Sequence, residues 1–150
     1  MTSMKLSCRI GQYMALTAAT SVLACAVQAQ TLGSNLALTG PSAGADGSGF
    51  SDTKLVRDAD TATFTEASGT SNQRVSVKWG SEVAFNTVVL RESGSKVTSW
   101  QLVNNDTGDV LATGTGIGAA RTVNLGSVSM KKLNLIVSGS SPLRMAEIEV

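Results

Sequence analysis

The sequence contains no histidine, and its two cysteines, Cys8 and Cys25, both lie in the first 25 of 150 residues. The lack of histidine removes the commonest general base, and from Gln30 onward there is also no thiol nucleophile. The same two gaps deny zinc its usual imidazole and thiolate ligands. Aromatic residues make up only 4% of the chain, and the single tyrosine is Tyr13. Charged residues are sparse at 15%, with no basic cluster beyond Lys131-Lys132, which reads as a solvated strand end. Without a basic face the chain has no electrostatic reason to seek nucleic acid.

What is present first is a leader. Lys5 and Arg9 precede an apolar, small-residue run from Tyr13 to Ala26, and Val27-Gln28-Ala29 suits a signal peptidase. The reading is a secretory signal over residues 1–29, a domain over 30–150, and a secreted or periplasmic location. The alternative is a lipobox, Val22-Leu23-Ala24-Cys25, which would tether the protein to a membrane through a lipidated Cys25. Removing Lys5 and Arg9 leaves ten Lys and Arg against eleven Asp and Glu, a net charge of −1. A domain exported without disulfides must be held by its core, and about 120 residues suffice for one.

Beyond the leader, no window of a dozen residues places apolar side chains at helical spacing. Short β-branched runs alternate with Gly, Ser, Asn and Asp, the pattern of an all-β sandwich or barrel. The expected strands begin at Asn35–Leu38, followed by loop to Ser51. Arg74–Trp79 sets Val75, Val77 and Trp79 on one face and is stopped by Gly80. Phe85–Arg91 reads as a central strand. Val97–Val103 sets Val97, Ser99, Gln101 and Val103 opposite Trp100 and Leu102. Asn104–Asp109 is turn chemistry, and Val110–Thr113 is its hairpin partner. Thr122–Leu125, Leu133–Val137 and Ala146–Val150 complete about eight strands, which pair antiparallel for want of crossover helices.

Paired carboxylates could support a glycosidase, but nothing in the spacing of Asp58, Asp60, Glu66, Glu92, Glu147 and Glu149 singles out a pair. The expectation is a protein that is not an enzyme. Asp58, Asp60 and Thr63 alternate hard oxygens in a tight loop, as calcium requires, although three oxygens do not make a calcium site. The alternative is an Asx turn, in which each aspartate bonds its own backbone. Trp79, Trp100 and Phe85 fall on apolar strand faces and read as core. Phe50, in the Gly/Ser-rich Gly47–Ser51, and Phe64 have no such explanation.

Asp58-Ala59-Asp60-Thr61-Ala62-Thr63-Phe64 resembles the Asp-Gly-Asp-x-x-Thr-aromatic loop of discoidin (F5/8 type C-like) domains, the galactose-binding-like modules attached to bacterial glycoside hydrolases such as α-fucosidases. Asn35–Leu38, Val88–Glu92, Gly114–Gly118 and the closing Met145–Val150 are similar to that family in the same order. The resemblance implies an antiparallel jelly-roll β-sandwich whose first and last strands are neighbours. It implies a structural calcium held by side chains of Asp58, Thr63 and Glu147 and by carbonyls of Leu55, Asp60, Thr63 and Ala146. It also implies a noncatalytic, lectin-like site for a galactose- or fucose-like glycan on loops at one end. The candidates there are Phe50, Phe64, Asn72, Arg74, Arg91, Glu92 and Arg144. The alternative is a cell-surface adhesion or protein-interaction module using the same loop end. The sequence departs from the family at Ala59, which stands where a glycine would take positive φ freely, and at Thr65 and Lys78-Trp79-Gly80.

Overall fold

The computed structural model describes residues 31–150; the leader and the Cys25 alternative lie outside the described residues. Seven strands are present: β1 (Gly44–Ser48), β2 (Thr65–Glu66), β3 (Gln73–Glu92), β4 (Val97–Asn104), β5 (Val110–Gly114), β6 (Arg121–Gly139) and β7 (Arg144–Glu149). Every pairing is antiparallel. A four-residue helix, α1 (Leu36–Thr39), precedes them, and a 3-10 turn spans Thr53–Arg57.

The long strands β3 and β6 make the architecture. They run against each other for their whole length, with register shifts between Lys78 and Val83 and between Phe85 and Thr87. A bulge leaves residues unpaired and bends the strand locally, so the paired ribbon folds into two layers. The first half of β3 and the last half of β6 lie in a five-stranded layer ordered β1-β3-β6-β4-β5. Their other halves lie in a four-stranded layer ordered β2-β7-β3-β6. The all-β antiparallel sandwich expected from the sequence is therefore the fold.

One core fills the space between the layers. Val75, Val77, Trp79, Trp100, Leu102, Leu133, Leu135 and Val137 enter it from the first layer, and Val88, Leu90, Met145 and Ile148 from the second. Full burial of such a side chain is worth about 1.5–3 kcal/mol. The bulge at Phe85–Thr87 also explains a change of parity: Val83 and Phe85 face the core before it, Val88 and Leu90 after it.

Five local expectations are corrected. Asn35–Leu38 is not a strand: Asn35 is the cap of α1, its Oδ1 accepting from Ala37 N at 3.0 Å. Asn35 followed by Leu-Ala-Leu is an N-cap signal that the sequence did contain. The segment still meets the C-terminus, because Leu36 N donates to Val150 O and Val150 N to Asn35 Oδ1. Gly80 does not end its strand, since β3 continues through it and Gly80 N donates to Pro41 O at 2.8 Å. Thr122–Leu125 and Leu133–Val137 are two parts of β6, so the described residues hold seven strands. The loop expected up to Ser51 contains β1. Val97 shares the buried side with Trp100 and Leu102 because a register shift between Val97 and Ser99 inverts the alternation.

Candidate functional site

β7 is hydrogen-bonded between β2 and β3, with Ile148 opposite Leu90 on the core side and Glu147 opposite Arg91. Glu147 thus sits on the side of β7 turned away from the core, where the loop Asp58–Thr63 closes over it. That loop is a double Asx turn: Asp60 N donates to Asp58 Oδ1 at 3.0 Å, and Ala62 N to Asp60 Oδ1 at 2.9 Å. Thr63 Oγ1 donates to Asp58 Oδ2 at 2.8 Å and lies 3.0 Å from Asp60 O. The loop and strand are joined where Asp60 N also reaches Glu147 Oε1 at 3.1 Å. Ala59 adopts φ +63°, the left-handed region in which a Cβ costs about 1–2 kcal/mol.

Glu147 is 1% exposed, and its Oε2 is buried without a hydrogen-bond partner. Burial, followed by the hydrogen bond and charge of Asp58, pushes its carboxyl up to about 7. Asp58 moves the other way: burial opposes its ionisation, but the hydrogen bonds from Thr63 Oγ1 and Asp60 N prevail and hold it below the usual range. The two carboxyl groups, both reached by Asp60 N and one of them with an unpartnered oxygen, form an all-oxygen donor set suited to a hard cation. No cluster of three or more His, Cys, Asp or Glu occurs among the described residues. A cation here would need the Thr63 hydroxyl and backbone carbonyls beside the two carboxylates.

At the same end of β7, Phe64 lies under Arg144, whose guanidinium carbon is 4.6 Å from the ring centroid. Arg144 Nε also donates to Glu66 Oε2 at 2.7 Å. Phe50 packs against the core and bridges Ala67, next along the chain from Glu66. Asn72, at φ +51°, donates through its N to Ser138 Oγ at 2.9 Å. Phe50, Phe64 and Arg144 are therefore gathered around β2, with Asn72 at the start of β3.

The other candidates have different surroundings. Arg91 Nε donates to Glu149 Oε1 at 2.5 Å, and its Nη1 reaches Ala119 O at 3.5 Å. Glu92 is buried; its Oε1 accepts from the amides of Lys96 and Val97 and its Oε2 from Gly118 N. Its carboxylate pins two loops and does not face solvent. Arg74 Nη1 donates to Asp46 Oδ1 at 3.1 Å. Lys132, expected as a solvated strand end, reaches the same carboxylate at 2.9 Å, and Lys78 reaches it at 3.2 Å. The alternating Arg74, Ser76 and Lys78 were the sequence signal for this cluster, but Asp46 lay in a stretch expected to be loop.

The geometry is that of an antiparallel, all-β jelly-roll sandwich. No family model and no curated protein sequence matches the chain. Among solved structures it is similar to the family 32 carbohydrate-binding module of C. perfringens NanJ in complex with galactose: TM-score 0.63, 17% identity, 73% of this chain and 93% of that one. It is similar to chitosan-binding module 2 of a Paenibacillus sp. IK-5 chitosanase/glucanase, in complex with chitotriose: TM-score 0.62, 19% identity, 77% and 98% covered. It is also similar to a Ruminococcus gnavus GH29 fucosidase in complex with fucose, with TM-score 0.67, 22% identity and 78% of this chain covered. The chain spans only about a quarter of that fucosidase, 26% of its length.

Proposed function

We infer that this chain is a noncatalytic carbohydrate-binding module, exported by its leader, with a structural calcium between the Asp58 loop and β7. The observation that carries the reading is the end-to-end likeness to whole modules that bind sugars, which the chain spans at 93% and 98% of their length. The sugar site we propose lies at the β2 end, where Phe64 would supply an apolar face and Arg144 a fixed fork of donors. Asn72, Phe50 and the flanking Arg74 and Arg91 complete the candidate surface. Asp58, Thr63 and Glu147 would hold the ion with the carbonyls of Leu55, Asp60, Thr63 and Ala146. Bound there, calcium would neutralise the two carboxylates and fasten the loop to the strand.

The test is amide-shift titration of isotope-labelled protein from Gln30 onward with galactose, fucose and N-acetylgalactosamine. A dissociation constant on the order of 0.1–1 mM is expected for one shallow site. Shifts should centre on Phe64, Ala67, Asn72 and Arg144 and be lost in Arg144→Ala. No shift with any monosaccharide would overturn the sugar site and favour the protein-interaction alternative.

A further inference from the structure

The outer face of the five-stranded layer carries a groove and a charge cluster that the Asp58 loop does not use and that meet the β2-end candidates only at Asn72 and Arg74. Between β4, β5 and β6 it holds a groove of about 230 Å³. Gln101, Thr113, Ser99 and Ser138 line it with amide and hydroxyl groups, and Ile136 supplies an apolar patch. The register is continuous across the sheet: Thr113 lies opposite Gln101, Gln101 opposite Ile136, and Ile136 opposite Arg74. One strand further on, Arg74, Lys78 and Lys132 surround the single carboxylate of Asp46, leaving an excess of two positive charges. Buried Ser76 and Asn134, bonded at 2.7 Å, brace this cluster from below, and Asn134 Nδ2 is bonded in turn to Asn105 Oδ1 at 3.1 Å.

We propose that this sheet face is a second glycan site, and that it takes a polysaccharide chain bearing carboxylate groups. The proposal rests on the carbohydrate-binding reading and adds to it both a location and a chemical class. Amides and hydroxyls over a small apolar floor suit a sugar ring, whose hydroxyls need planar donors and acceptors and whose C–H face needs a dry contact. The groove is smaller than the roughly 300–1,000 Å³ of drug-sized pockets. It therefore holds a short piece of a chain that continues across the sheet. The register leads that chain over Arg74 toward Lys132 and Lys78. Three cations share one carboxylate there, so a second anion meets unspent positive charge, and a neutral chain gains nothing from it.

The experiment compares an oligouronate with a neutral oligosaccharide of equal length on isotope-labelled protein, with galactose as a third probe. The oligouronate should shift the amides of Ser99, Gln101, Thr113, Ile136 and Ser138, and the neutral chain should bind there at least fivefold more weakly. Affinity should fall severalfold between about 0.02 and 0.2 M salt, as exposed charge pairs are screened. The exposed substitutions Gln101→Ala and Lys78→Gln should each weaken oligouronate binding and leave the galactose shifts at Phe64 and Arg144 unchanged. Oligouronate shifts confined to the β2 end would overturn this proposal and leave the loop-end site standing. Equal binding of both chains on the sheet face would overturn its charge selectivity, and no shift there with either chain would overturn the site.

Discussion

Glu147 occupies a position where a carboxylate is costly to keep charged, beneath a loop that brings a second carboxylate to it. Replacing it by Gln keeps the acceptor for Asp60 N and gives Asp58 a neutral neighbour. In chelator-treated protein, Glu147→Gln should be as stable as the parent or up to about 1 kcal/mol more stable. Its melting temperature should lose the rise that millimolar calcium gives the parent by binding only the folded state. A full calcium response in the variant, seen by scanning calorimetry, would remove Glu147 from the ligand set. Ala59 permits an independent test of the same loop. At φ +63° its Cβ is strained, so Ala59→Gly should raise stability by about 0.5–1 kcal/mol in denaturant titration, despite glycine's greater freedom in the unfolded chain. That strain was legible beforehand, because the residue aligned with a glycine in the Asp-Gly-Asp pattern.

At the scale of elements, single polar side chains hold together pieces that strand pairing leaves loose. Glu92 collects three backbone amides, from Lys96, Val97 and Gly118, and so fixes the β3–β4 connection and the loop after β5. Glu92→Ala would leave those donors unpaired, and a loss of about 2–4 kcal/mol is expected on urea unfolding. Asn35 does the same for α1: its Oδ1 accepts from both Ala37 N and Val150 N. Asn35→Ala should cost about 1–2 kcal/mol and speed hydrogen exchange at Leu36 and Val150 ahead of the sheet amides. Trp79 completes the anchorage by donating its Nε1 to Leu36 O at 2.8 Å. Local sequence gave α1 only a cap and a few apolar residues. A helix of four residues cannot stand without such tertiary contacts.

Over the whole molecule, the outer charge cluster predicts how the protein meets acid. Burial opposes the ionisation of Asp46, but its bonds to Lys132, Lys78 and Arg74 outweigh that and hold its carboxyl at about 2, against an ordinary 3.8. A carboxyl whose folded-state pKa is depressed contributes stability above its unfolded value. That contribution is lost as pH falls from about 4 toward 2. With Asp46 about one-third exposed, it amounts to roughly 1–2 kcal/mol. Asp46→Asn should therefore lower stability at pH 7 by that amount and flatten its decline between pH 4 and 2, as followed by denaturant midpoints.

The sequence by itself determined the class of this molecule. Period-two runs such as Arg74–Trp79, separated by turn residues, narrow it to an antiparallel sandwich or barrel, because the alternation must bury one face. It also gathered Asp58, Asp60 and Thr63 in one loop, since Asx turns depend only on near neighbours, whereas Glu147 joined them only through the family resemblance. Tertiary structure decided where strands end and which face they show. Bulges at Val97–Ser99 and Phe85–Thr87 invert the alternation at points where residue type gives no sign, because only the partner strand's register requires them. It also decided that Glu92 turns inward and that Lys132 turns to Asp46. Both depend on groups more than twenty residues away, Gly118 and Asp46, which no local pattern could have joined to them.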